Sequence, residues 1–527
     1  DQLIEKVAYV WFNRLMALRF MDANDYQPLG IRIITPKDGY TIPELLDEAK
    51  RGNIPEELKV NRQKIFDLLD NKIPSSNPQN EGFKELLIAA CNYLQTTFPF
   101  LFEKINDYTE ILLPDDLTSD FSIVNMVRDG MLIEDCKDVE IIGWLYQFYI
   151  SEEKERLINA KSIYEPHEIA PVTQLFTPKW IVQYMVDNTL GQFWKECRPN
   201  SNIINELDFY IKPKGEGNLP KREVKSPEEI TLFDPCVGSA HILCYAFDIF
   251  YKIYREEGYN DSEIAEHILT KNLFGLDIDD RAAQLAGFAL MMKGRQYNRR
   301  FLRNNIIPNI TAFQNIESHP TFENSKTFGS LIKITQHEVD EIEVDENSIF
   351  SEQQKQLKKQ AQFLSNKYDI FVTNPPYLNS TFMEGELKQF VEKNYSFTKL
   401  DLFACFLVQS THLTKYNGLI GFLCPYVWMF ILSFQKLREF IISNTTINNL
   451  IQLEYNAFGP AVVPVCTFTL RNKSLNDFEG IYIKLSDFKG VDNQEPKTLE
   501  AIKNPQCGWL YYSNQVKYQE ITGNPIG

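Results

Sequence analysis

The chain has 527 residues, 44% hydrophobic and 24% charged, with 54 lysines and arginines against 71 acidic residues and a net charge of −17. These proportions exclude disordered and fibrous classes, and the length provides for about three domains around a large buried core. The acidic balance argues against a polycationic nucleic-acid binder and leaves room for contact through one local basic surface.

The chain opens at Asp1 without a methionine and stops at Gly527 in a polar, turn-like stretch, so both ends are expected to lie inside a longer protein. Residues 1–165 read as a helical domain. Val7, Val10, Trp11, Leu15, Leu18 and Met21 recur at three- and four-residue spacing on one helix face, and residues 140–157 run from an apolar half into a charged half.

From about residue 166 the pattern changes to apolar runs alternating with amphipathic helices, as in a parallel α/β sheet. The runs are 230–233, 273–276, 368–373, 419–424, 449–453 and 463–470. Residues 198–228 and 338–366 read as peripheral insertions. Residues 418–434 are uncharged, but they fall short of the roughly 20 residues of a membrane span, and Pro425 interrupts them. They predict a buried strand, a proline turn and a helix start in a soluble protein. The nine cysteines form no Cys-x-x-Cys pair, and no secretory segment precedes them, so reduced thiols in a cytoplasm are expected. Neither the cysteines nor the six histidines show a metal-ligand spacing, and no metal is expected. From about residue 476 the chain is polar and is expected to open a further domain that it does not complete.

Three motifs carry chemistry. In LFDPCVGSAH (232–241) a strand ends at Asp234, and Gly238, Ser239 and Ala240 let the backbone approach a ligand at a helix N-terminus; such units bind many nucleotides, or nothing. In LFGLDIDDRAAQLA (273–286), Asp277 ends the next strand, where a carboxylate can accept bonds from both ribose hydroxyls or simply cap the helix, a task better suited to Asp279 or Asp280. The third motif is Asn374-Pro375-Pro376-Tyr377, directly after an apolar strand. With proline near 5% of residues, such a string arises by chance in well under about one chain in a hundred of this length.

Asn374-Pro375-Pro376-Tyr377 resembles the catalytic motif of the amino-methylating, S-adenosylmethionine-dependent methyltransferases. The segments FTPKWIVQYMV (176–186), DPCVGSA (234–240), LDLFACFL (400–407), GLIGFLCP and NAFGPAVVPVCTFTL (456–470) are similar to further motifs in the order of the gamma-type DNA adenine methyltransferases. Ala240 stands where that family usually has glycine. AYVWFNRLMALRFMDANDY and EIIGWLYQFYISEEKE resemble the PglX methyltransferases of BREX phage-defence systems, which are much longer and place a target-recognition region after the core.

The resemblance implies a Rossmann-like α/β methyltransferase sheet over 166–475, mostly parallel with an antiparallel last strand, preceded by the α-helical domain. It implies transfer of a methyl group from S-adenosyl-L-methionine to the N6 amine of an adenine flipped out of double-stranded DNA, alongside other BREX proteins and without a membrane. Asn374 and Pro375 would each accept one N–H of the amine, with Pro376 and Tyr377 completing the catalytic motif. Phe176, Thr177, Pro178, Asp234, Pro235, Gly238, Ser239, Asp277 and Ile278 would hold the cofactor, and Tyr377 and Phe458 would stack on the base. Lys293, Arg295, Arg299, Arg300 and Arg303 form the best local candidate for DNA contact, although such a run is also an ordinary solvated helix face. The alternatives are a scaffold subunit of a defence complex with methylation secondary, or a fused restriction–modification enzyme.

Overall fold

A computed structural model of the chain describes residues 2–103, 113–215, 221–457 and 463–526. They divide into two compact units, Asp1–Leu145 with Gln284–Pro308, and Tyr146–Ala283 with Asn309–Gly527. The division differs from a boundary at residue 165: the helix Glu140–Ala160 begins in the first unit, and all but the first turn of the helix Asp280–Tyr297 belongs there too.

In the first unit the helix Gln2–Ala23 is buried on more than the expected face. Asn13, Arg14, Arg19 and Asp22 are buried together with Val7, Trp11, Leu15, Leu18 and Met21, whereas Val10 is only partly covered. Arg19 and Asp22 tolerate that burial because they are partnered. Asp22 accepts the backbone N–H groups of Ile33, Ile34 and Thr35 at 2.8–2.9 Å.

The second unit is built on one nine-stranded sheet: β1 (Leu232–Asp234), β2 (Leu273–Asp277), β3 (Asn309–Ala312), β4 (Tyr368–Thr373), β5 (Thr414–Pro425), β6 (Thr446–Gln452), β7 (Val465–Arg471), β8 (Glu479–Lys484) and β9 (Leu510–Asn514). Their order across the sheet is β3-β2-β1-β4-β5-β7-β6-β8-β9. β1 to β5 pair in parallel, and β7 runs antiparallel between β5 and β6. This is the sheet expected of a Rossmann-like methyltransferase. β1, β4 and β7 are almost wholly buried, as strands covered on both faces must be, and so they read as apolar runs without alternation. Successive connections leave β1 toward β2 and β4 toward β5, so the C-terminal ends of β1 and β4 bound a crevice where the strand order reverses, which is where open sheets bind ligands.

Three features differ from expectation. Residues 476–527 do not start a separate body: β8 pairs with β6, and β9 with β8, extending the same sheet. The insertion at 338–366 is not peripheral. Its helix Ser351–Ser365 buries Leu357, Ala361 and Leu364. Gln356 and Lys359 donate to the carbonyls of Ala312 and Ile310, closing the outer edge of β3 against further pairing. The insertion at 198–228 reaches into the core through Arg222, whose Nε lies 2.6 Å from Glu196. The 418–434 segment folds as the sequence predicts, as strand β5 and two short 3₁₀ turns leading into the helix Gln435–Asn444. No helix among the described residues is long and apolar enough to cross a membrane.

Candidate active site

The loop after β1 turns through two left-handed residues, Gly238 (φ +52°) and Ala240 (φ +65°), before the helix His241–Glu256 begins. At Gly238 a Cβ would stand 3.1 Å from the Gln174 side-chain amide, which would have to give way slightly. Ala240 adopts the conformation that glycine takes without strain, which gives a physical reason for glycine in the related motif. The loop is tied down on both sides. The Gly238 N–H donates to Asp277 (2.8 Å), and the Ser330 hydroxyl donates to the Pro235 carbonyl (2.7 Å). Gly238 and Ser239 remain half-exposed, and Cys236 packs against the core.

Asp277 does not cap the following helix; Asp279 does, accepting the Arg281 N–H at 2.9 Å. The Asp277 oxygens accept the N–H groups of Gly238 and Asp279. A carboxylate has about four lone-pair sites, so acceptor capacity is left for a further donor. Ile278 beside it is half-buried against the core.

The loop that carries Asn374–Tyr377 follows β4. The Thr373 hydroxyl donates to Asp234 (2.8 Å), joining the ends of β4 and β1. The Asn374 amide nitrogen donates to the Leu175 carbonyl (3.3 Å) and to the Thr177 hydroxyl (3.1 Å). With both N–H bonds committed to the 175–177 segment, the side-chain oxygen must face the other way. There it accepts the Tyr377 hydroxyl at 2.5 Å. Tyr377 itself is half-buried, with its ring edge-on to Phe403 at 6.5 Å. The end of the loop is fixed by Asp401, which accepts the Leu378 N–H (3.0 Å) at the start of the helix Leu402–Leu413. Three segments far apart in sequence, 175–177, 234–240 and 373–377, thus form one hydrogen-bonded cluster.

Burial dominates the electrostatics. It pushes the carboxyls of Asp234, Asp277 and Asp401 up to about 7, against the hydrogen bonds that each accepts. The mutual repulsion of Asp234 and Asp277 adds to the rise at Asp234. Burial also raises the Tyr377 phenol well above its ordinary value, so it stays a donor to Asn374.

Among the other expected site residues, Phe176 lies against the His241 ring at 4.7 Å, and Thr177 and Pro178 enter the helix Lys179–Val186. Phe458 lies outside the described residues. Arg299, Arg300 and Arg303 are exposed and, with Lys293, belong to the first unit, whereas Arg295 lies over the Tyr26 ring at 4.5 Å. Sequence reasoning missed Leu175, Thr373 and the clamp at Asp401, although Asp401 stands in a segment already noted for its resemblance. It also missed the Tyr377–Asn374 bond.

Residues 271–458 match the Eco57I restriction-modification methylase family. Over 100% of its length the chain is 33% identical to the adenine-specific methyltransferase BrxX of Escherichia coli O9:H4 (strain HS). Over 99% it is 34% identical to the adenine-specific methyltransferase PglX of Lacticaseibacillus casei (strain Zhang). The chain is a relative of the PglX and BrxX methyltransferases. It spans about half the length of these two relatives, 48% of each. Among solved structures it is similar to the methyltransferase subunit of a type I restriction-modification system from Streptococcus thermophilus, at 15% identity and a TM-score of 0.47, covering 100% of this chain and 98% of that one. The match to PglX and BrxX takes in β8 and β9 as well as the core strands, so these relatives share the stretch that extends the sheet.

Proposed function

We propose that the chain is the methyltransferase part of a site-specific DNA adenine methyltransferase, acting on the N6 amine of a flipped-out adenine in BREX-type phage defence with other proteins of that system. The observation that carries this reading is the fixed Asn374 amide at the end of β4, its nitrogen held by the 175–177 segment and its oxygen turned away from it.

The crevice fits S-adenosylmethionine. Gly238 keeps its backbone bare beside the Gln174 amide, and Asp277 stands at the end of β2 with acceptor capacity left. Asp277 would hold the ribose hydroxyls, Phe176, Thr177 and Pro178 would close over the methionine end, and Gly238, Ser239 and Ile278 would line the cofactor loop beside them. When bound, the cofactor supplies an electrophilic methyl group. The chain supplies position and polarity. An exocyclic amine is a poor nucleophile because its lone pair is delocalised into the ring. Acceptance of one N–H by the Asn374 oxygen and one by the Pro375 carbonyl draws the nitrogen toward tetrahedral geometry. Fixed carbonyl dipoles also stabilise the positive charge that grows there. Holding the amine in line can contribute roughly 7–11 kcal/mol. No side chain need act as a strong base, because the methylated ammonium is acidic enough to give its proton to water.

The Tyr377 hydroxyl takes one of the two lone pairs on the Asn374 oxygen, so the incoming N–H would share the oxygen with it or displace it. Extruding the base costs a few kcal/mol, offset in part by stacking on Tyr377 and Phe458 at roughly 1–3 kcal/mol per base. The exposed Arg299, Arg300 and Arg303 are the candidates for phosphate contact.

Long-read modification sequencing of DNA from cells with and without the full-length gene tests this reading. N6-methyladenine at one recurrent sequence, present only with the gene, is the expected result.

Cofactor binding should depend on pH through Asp277. A charged acceptor makes the stronger bond to a hydroxyl, and burial sets this carboxyl near 7. Affinity for S-adenosylmethionine is therefore expected to fall about tenfold from pH 8 to pH 6, following the ionised fraction. The sign is opposite for the ligand-free fold. Asp234, Asp277 and Asp401, raised above their unfolded value, favour folding below about pH 4 and lose that contribution as pH rises through 7. Calorimetric titrations and denaturant midpoints at the two pH values check both signs.

A further inference from the structure

Directly after β5 the chain presents three large apolar side chains in a row: Phe430 (42% exposed), Ile431 (45%) and Leu432 (75%). Consecutive bulky apolar groups held in water are unusual on a soluble surface and mark a contact. The loop is rigidly built. The Arg438 guanidinium is buried and donates to the carbonyls of Trp428 and Ile431, both at 2.7 Å, and to that of Gly523 at 2.6 Å. The Phe430 and Ile431 N–H groups both close on the Val427 carbonyl, and the Phe430 ring stands edge-on to Tyr426 at 6.1 Å.

Its position is as specific as its rigidity. β5 lies beside β4 and parallel to it, so the 430–432 loop leaves the same rim of the sheet as the 374–377 loop. A chain of rings joins the two: Phe434 packs on Phe403 at 5.5 Å, and Phe403 meets Tyr377 at 6.5 Å.

We infer that Phe430, Ile431 and Leu432 form an apolar wedge that enters the base stack of duplex DNA where the target adenine is removed. The inference rests on the adenine-methylation reading above and adds the surface that opens the duplex. A flipped base leaves a gap between two apolar base faces, and stiff, branched, uncharged side chains next to the receiving pocket match that gap in size and chemistry. Lysine or arginine there would meet phosphates instead; this loop carries none from residue 426 to 435.

The test uses the full-length protein with I431S/L432S, and with L432S alone at the most exposed position. Each is assayed on a duplex carrying the site mapped by sequencing, with the target adenine either paired or placed opposite an abasic position. A wedge is needed only when the pair must be broken. The double variant should lose tenfold or more in methylation rate on the paired duplex and stay within twofold of the wild type on the abasic one, with L432S intermediate. Unchanged rates on both substrates overturn the inference. So does equal loss on both, the result expected if the loop instead packs against another part of a longer chain or a second copy. A wild-type protein that methylates neither substrate overturns the adenine-methylation reading itself, and the wedge with it.

Discussion

Replacing Asn374 by alanine is expected to lower the methylation rate by on the order of 10²–10³, the usual cost of deleting one fixed dipole aimed at developing charge. The loss should fall on kcat. Gly238 and Asp277 bond to one another, whereas Asn374 touches the proposed cofactor residues only through its bond to Thr177, so binding of S-adenosylmethionine by calorimetry should change by less than about tenfold. Asn374→Asp is a sharper probe. It keeps an acceptor, loses both donors to Leu175 and Thr177, and brings in a charge, so the segment 175–177 is released while the oxygen chemistry is only partly preserved. Tyr377→Phe leaves the stacking ring and frees the Asn374 oxygen, and its rate should stay within about tenfold of the wild type. If Asn374→Ala removes host-DNA methylation while phage exclusion persists in the same cells, the defence role is carried by recognition or scaffolding. If N374A retains full methylation, the proposed chemistry is wrong.

Glu196→Ala is expected to destabilise the second unit by about 3–5 kcal/mol, because it strands two guanidinium groups in the interior. Arg471 is fully buried on β7 and bonds both Glu196 oxygens, with its Nη1 also on Asn417 at 2.9 Å, and Arg222 reaches the same carboxylate at 2.6 Å. Burial works to raise the Glu196 carboxyl. The charges of Arg471 and Arg222 overcome it and hold the group below the usual carboxylate value. Its contribution is therefore present at neutral pH and lost as pH falls below the carboxylate range, the reverse of Asp234 and Asp277. A melting-temperature loss on the order of 10 °C would match this energy. Glu85→Ala, which breaks an exposed pair with Lys64, should cost no more than about 1 kcal/mol. Equal small losses for the two variants would show that the buried cluster contributes little.

The fold was legible where apolar runs meet sharp punctuation. β4 occupies residues 368–373 as read, because Lys367 precedes it and two prolines follow Asn374. β3 escaped because Asn309–Ala312 is four residues long, and its pairing to β2 is decided by neighbours distant in sequence. β8 and β9 escaped for a related reason: at the outer end of the sheet Tyr511 and Tyr512 stay exposed, so the segment looks polar and detached. The helix Ser351–Ser365 hid its role in its composition. Its glutamine and lysine side chains satisfy strand carbonyls, a task that polar residues perform without leaving a hydrophobic pattern. At the site, the motif residues could be named from the sequence, but their bonds could not. Thr373 to Asp234 and Asn374 to Thr177 span 139 and 197 positions, and only the closing of the sheet brings them together.

The added strands also set a limit on how the polypeptide can be trimmed. Ending it at residue 475, where composition alone would place the cut, would strip β6 of its partner β8 and uncover a row of unpaired backbone groups. The same cut would remove the Gly523 oxygen that steadies Arg438, leaving a cation half-satisfied beneath the 430–432 loop. Such a fragment would keep every motif residue and still be prone to stick to its own copies, so the shortest tractable form of this protein is longer than its signature suggests.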